Sequence, residues 1–191
     1  MKKYIIWFMS GFLIYMIGQS IYIQITKEPI SAKAKRLPCQ KKVTTFESCY
    51  IPKDIAKAQK LIEAGVVKFD SSVEKSVYSP STLFEYFPLE KANQIVNEEL
   101  KKYIKNKQNI KNDFGFSYYI YENDPKNPGK KTKKSKLYGG YVVFTIKNSK
   151  GYVVYKVQID FMDKKGADMP QSIKCAIKSI MTYNPNQNKG K

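Results

Sequence analysis

The chain has 191 residues, 42% hydrophobic and 14% aromatic, and a formal net charge of +18. Lysine supplies 33 of the 34 basic residues, Arg36 being the exception, and histidine is absent. The missing histidine excludes Ser-His-Asp and Cys-His nucleophilic catalysis, His-ligated zinc and a His general base. The near-absence of arginine counts against bidentate recognition of phosphate or guanine, which needs the guanidinium fork.

Residues 4–26 form a run without a formal charge, preceded by Lys2 and Lys3. About 20 helical residues cross a hydrocarbon core about 30 Å thick, so the run is long enough to span. It predicts a transmembrane signal anchor over 4–26, with residues 1–3 as a short cytoplasmic N-terminus. A cleaved secretory signal is the competing reading, although its apolar part is normally about 7 to 15 residues. Lys27, Lys33, Lys35, Arg36, Lys41 and Lys42 crowd the far flank, which the positive-inside rule reads in the opposite orientation. The basic N-terminal flank and the cysteines beyond the run favour export. The expected location is the bacterial inner membrane, single-pass, with the C-terminal domain periplasmic.

Residues 27–50 read as a connector, because Pro29 and Pro38 stop a helix from continuing. Cys39 and Cys49 lie close enough in sequence to close a short loop. In an oxidising compartment they are a candidate disulfide, worth roughly 2–3 kcal/mol by chain entropy; two free thiols are the alternative. Two cysteines without histidine or CxxC spacing do not make a metal site.

Residues 51–183 carry the folded domain. Pro52 suits a helix start, and Ile55, Ala58, Leu61 and Ile62 recur at helical spacing until Gly65. Residues 79–82 are turn-like and precede a brief helical turn with Leu83, Phe84, Tyr86 and Phe87. After Pro88 an amphipathic helix gathers Leu89, Ala92, Ile95, Val96, Glu99, Leu100, Tyr103 and Ile104 largely on one face.

From Phe114 the period changes to two. Phe114, Phe116, Tyr118 and Ile120 alternate with polar or small residues, residues 141–146 are β-branched and aromatic, and Val153, Tyr155, Val157, Ile159 and Phe161 share a face. Asn148-Ser149-Lys150-Gly151 suits a hairpin between the last two. Ile173, Cys175, Ile177, Met181 and Tyr183 alternate with Lys174, Ala176, Lys178 and Thr182, predicting a final strand with Cys175 as a small buried hydrophobe. The expected fold is therefore α+β: an N-terminal transmembrane helix, then helices packed on a four-stranded antiparallel meander sheet, curved and cone-like. Residues 184–191 read as a polar tail.

Residues 124–136 form the outstanding loop. Pro125, Pro128 and Gly129 prevent regular structure there. Lys126, Lys130, Lys131, Lys133, Lys134 and Lys136 make a candidate site for polyanions, either anionic lipid or nucleic acid. A solvated strand connection is the plain alternative. No Gly-rich phosphate loop, acid/base pair or cofactor motif appears, so no cofactor and no enzymatic activity are expected.

The leading functional expectation is a non-enzymatic scaffold. Its domain would act in protein-protein assembly of an envelope complex such as a secretion, conjugation or motility apparatus. The expected partners are the membrane and other envelope proteins, and a homo-oligomer is compatible with such a role. The alternative is a membrane-tethered binder of anionic lipid or nucleic acid through the lysine loop. A periplasmic ligand-binding domain is a third reading.

Overall fold

In the computed structural model, residues 36–185 are described. The 3-10 turn Pro38–Lys41 leads into β1 (Thr45–Cys49), α1 (Pro52–Glu63), β2 (Asp70–Glu74) and the single turn α2 (Leu83–Tyr86). Then come α3 (Leu89–Lys101), β3 (Gly115–Glu122), a 3-10 turn Lys134–Lys136, β4 (Gly140–Lys147), β5 (Val153–Phe161) and α4 (Met169–Met181). The five strands form one sheet in the order β1-β5-β4-β3-β2. β2 runs parallel to β3 and the other pairs are antiparallel.

The helices follow their local signals. Pro52 begins α1, where its missing N–H has no intrahelical partner to lose, and Asp54 lies in the first turn, where a negative charge is favoured. Ile55, Ala58, Leu61 and Ile62 are its buried residues. α3 buries Ala92, Val96, Glu99 and Leu100. On the sheet, Phe116, Tyr118 and Ile120 of β3 join Val142, Phe144 and Ile146 of β4 and Tyr155, Val157, Ile159 and Phe161 of β5 in one core. α4 lies against β5, β4 and α3. At the β4–β5 hairpin, Asn148 Oδ1 accepts from the amides of Lys150 and Tyr152, and Gly151 takes a φ of 81°.

The structure corrects the expected fold in three places. The four-stranded antiparallel meander is a five-stranded mixed sheet. The final strand over residues 173–183 is replaced by α4, whose Met169, Ile173, Ala176, Ile177 and Ile180 are buried at spacings of three and four. Asp168 caps it in sequence and Pro170 enters its first turn, where proline is tolerated. The latter part of the expected connector is structural, because β1 is an edge strand paired with β5 from Thr45↔Ile159 to Cys49↔Tyr155.

The location is corrected as well. Among the described residues no helix is long and apolar enough to cross a membrane. The transmembrane helix, signal anchor and inner-membrane placement all rested on residues 4–26, which lie outside the described residues, as does the polar tail from 186 onward. With no spanning helix among the described residues, anchor and location are set aside.

Candidate interaction surface

The sheet topology brings three loops to one end. β2, β3 and β5 finish there and β4 begins there, since Glu74 lies next to the Tyr121 register and Glu122 and Phe161 both pair with Gly140. The loops are residues 75–82 after β2, 123–139 between β3 and β4, and 162–168 after β5.

The 75–82 loop is held by two carboxylates at the end of β3. Glu122 Oε1 accepts from the amides of Thr82 and Leu83, each at 2.9 Å, and its Oε2 accepts from Ser76 N at 3.1 Å. Asp124 Oδ2 accepts from Val77 N at 2.9 Å and Tyr78 N at 2.6 Å, while its Oδ1 accepts from Ser79 Oγ and Lys126 N. Both carboxylates are buried. Burial by itself pushes the Glu122 carboxyl up, but donors from Ser81 and from the Leu83, Ser76 and Thr82 amides outweigh it and hold the group below its usual value. Asp124 behaves the same way: burial opposes, and the Tyr78, Ser79, Val77 and Lys126 donors prevail.

The 162–168 loop closes on itself. Asp168 accepts from the amides of Met162 and Asp163, and Asp163 Oδ1 accepts from those of Lys165 and Ala167. Those backbone donors hold the Asp163 carboxyl below its ordinary value. The loops are joined by Gly139 and Gly140. A Cβ on Gly139 would overlap the Asp163 carbonyl, and one on Gly140 would overlap the Tyr121 carbonyl and the Phe161 ring.

On these fixed backbones stand apolar side chains that face solvent. Val77 is 84% exposed and Leu137 65%, and Tyr78, Tyr86 and Met162 are also exposed. Lysines surround them: Lys75, Lys126, Lys131, Lys133, Lys134, Lys136, Lys164 and Lys165 are all exposed on these loops. Lys165 Nζ lies 4.7 Å from the Tyr86 ring centroid. The carboxylates of Glu122, Asp124, Asp163 and Asp168 accept from donors of the loops themselves. The uncommitted charge at this end is therefore mostly positive.

The structure divides the candidate polyanion residues. Lys126, Lys131, Lys133, Lys134 and Lys136 are exposed, whereas Lys130 is half-buried. Its Nζ lies over the Tyr121 and Tyr138 rings, at 5.2 and 4.9 Å, and donates to Asn123 Oδ1 and to the Tyr138 hydroxyl. Asn123 Nδ2 in turn donates to Tyr138 O at 2.7 Å. Lys130 thus closes the loop instead of presenting charge.

The disulfide expected between Cys39 and Cys49 is corrected too. Cys39 is bonded to Cys175 of α4, and Cys49 is a free thiol. Cys49 lies on the edge strand with its thiol pushed up by burial, against hydrogen bonds from Tyr183 and Ile51. Among the described residues no group of three or more His, Cys, Asp or Glu side chains is placed to hold a metal ion. Sequence reasoning missed Glu122 and Asp124 as the organisers of this end. Their only signal was two acidic residues closing an alternating run in a lysine-rich chain.

No protein-family model matches the chain, and no curated protein matches it. Among solved structures it is similar to the PelC dodecamer from Paraburkholderia phytofirmans and to a variant form of that dodecamer. The identities are 12% and 13% and the TM-scores 0.35 and 0.34, with 73% of this chain and 94% of those chains covered.

Proposed function

We propose that the domain is a non-catalytic assembly module that binds an acidic surface of another protein with the loop-bearing end of its sheet. The observation that supports this reading is the 75–82 loop. Its backbone amides are committed to Glu122 and Asp124 while Val77 and Tyr78 project into solvent. A loop fixed before binding loses little conformational freedom on docking, and exposed apolar and aromatic side chains are the usual anchors of a protein interface. The surrounding lysines choose an acidic partner and speed its encounter. Face-to-face pairing of two copies through this end would set the lysines of both against each other, so the occupant is a different surface.

The test is site-specific photocrosslinking in cells, with the photoreactive side chain at Val77, Tyr78 or Leu137 and controls at Lys57 and Gln94. The reading expects a discrete protein adduct at the three surface positions and none at the controls. The adduct should fade when Lys131, Lys133 and Lys134 become Glu, and should reform when the identified partner is mixed with the purified chain. Adducts of equal strength at the controls would remove the proposal. So would binding of duplex DNA or of phosphatidylglycerol vesicles that depends on the loop lysines but not on Val77 or Tyr78.

A further inference from the structure

A second surface lies along α4, beside the disulfide. Between residues 38–43 and α4, which the Cys39–Cys175 bridge fastens together, lies a half-open cleft of about 440 Å³. That volume is within the roughly 300–1,000 Å³ of small-molecule sites. Its wall includes Val43, Ile159 and the Cys39–Cys175 bridge, all apolar. Lys42, Lys174 and Lys178 also line it. The two on α4 are four residues apart and so share a helix face, and all three are exposed.

The acidic and hydroxyl groups of the same wall are already committed. Glu99 accepts from Lys102 Nζ at 2.6 Å. Asp168 accepts from the Met162 and Asp163 amides at 2.7 and 3.0 Å. Ser172 Oγ donates to Asp160 O at 3.1 Å. None of the three lysines has an ion-pair partner among the described residues. An apolar floor beneath ammonium groups that have no ion-pair partner among the described residues is complementary to a molecule with an aliphatic body and one anionic head.

We infer that this cleft binds an amphiphilic anion, a carboxylate or phosphate head on an aliphatic chain, with the chain on Val43, Ile159 and the disulfide and the head among Lys42, Lys174 and Lys178. The same chemistry reaches a protein either as a free amphiphile or from a bilayer. Titration of laurate and of monododecyl phosphate into the full chain, followed by calorimetry and by amide chemical shifts along α4, tests the site. The inference expects saturable one-to-one binding with shifts at Lys174 and Lys178, and weaker binding of dodecanol. Lys174→Ser with Lys178→Ser lies on exposed positions and should weaken laurate about tenfold. Val43→Trp, which fills the apolar floor, should weaken laurate and dodecanol together. Binding to phosphatidylglycerol vesicles that laurate displaces would make the bilayer the source; laurate binding without vesicle binding would make it the free amphiphile. Absence of saturable binding up to about 1 mM, or an affinity unchanged in both the lysine and the Val43 variants, would overturn the inference.

Discussion

Glu122 and Asp124, two residues apart at the end of β3, hold one loop between them: Glu122 takes the amides of Ser76, Thr82 and Leu83 at its two ends, and Asp124 those of Val77 and Tyr78. Removing Glu122 leaves three amides without this acceptor, those of buried Leu83, half-buried Ser76 and exposed Thr82. Hydrogen bonds to a charged group contribute about 1.5–3 kcal/mol each, and an orphaned donor costs a similar amount. Glu122→Ala should therefore lower unfolding stability by about 3 kcal/mol or more in urea titration. Amide exchange should accelerate at Ser76, Thr82 and Leu83.

The same pair predicts a pH dependence. Both carboxyls are held below their ordinary values in the fold. A depressed pKa contributes stability that is complete above the unfolded value and lost as pH falls through the folded one. The contribution should begin to fall below pH 4.5 for Glu122 and below pH 3.8 for Asp124, and continue downward from there. Amide exchange of residues 76–83 should rise below about pH 4 before that of the β4–β5 core does. A 75–82 loop that opens only with global unfolding would refute this account.

Gly140 and Gly151 are needed for different reasons. Gly140 is needed for space: its Cβ would meet Tyr121 O and the Phe161 ring, both fixed in neighbouring strands. Gly151 is needed only for its φ of 81°, with open space around the missing Cβ. Gly140→Ala should prevent accumulation of folded protein. Gly151→Ala should cost about 1–2 kcal/mol, the ordinary penalty of a left-handed alanine, and leave the fold intact by circular dichroism.

The disulfide closes a sequence separation of 136 residues. Chain entropy assigns such a bridge up to about 5 kcal/mol, against roughly 2–3 kcal/mol for the short 39–49 loop. Non-reducing digestion should recover a Cys39–Cys175 peptide. Cys39→Ala with Cys175→Ala should destabilise by several times more than Cys49→Ala, whose residue is on the edge strand. With its thiol pushed up by burial, Cys49 should alkylate slowly at neutral pH and faster in denaturant.

What the sequence hid, it hid for physical reasons. Ile173, Cys175 and Ile177 alternate, yet Met169, Ile173, Ala176, Ile177 and Ile180 also fall at helical spacing. A helix buried on most of its circumference satisfies both periods. β1 was invisible because Glu47 faces the core, where the Tyr155 hydroxyl and Gln40 Nε2 donate to it. β2, Asp-Ser-Ser-Val-Glu, has a single apolar residue and exists through its pairing with β3. The helices at Pro52 and after Pro88 were legible because each keeps one buried face, β3 because its burial alternates, and β4 and β5 because β-branched and aromatic residues fill them although both bury residues on either face. Three cysteines allow three pairings, and spacing does not choose between them. The lysine loop was legible as charge, but not the exception within it.

That exception, Lys130, gives the last prediction. Its ammonium lies between the Tyr121 and Tyr138 rings and donates to Asn123, so losing it opens the loop from within. Lys131, Lys133 and Lys134 are exposed, and replacing them changes charge without removing a contact that holds the fold. Lys130→Ala should accelerate amide exchange across residues 123–138 and lower stability by about 1 kcal/mol, the scale of a partly desolvated cation–π contact. It should disturb partner binding by disordering the loop, with little change in salt dependence. The triple change of Lys131, Lys133 and Lys134 to Glu should leave urea unfolding within about 0.5 kcal/mol of the parent and flatten the salt dependence of binding. A measured order opposite to this, with Lys130 setting the salt dependence and the other three setting stability, would reverse the roles assigned to the loop.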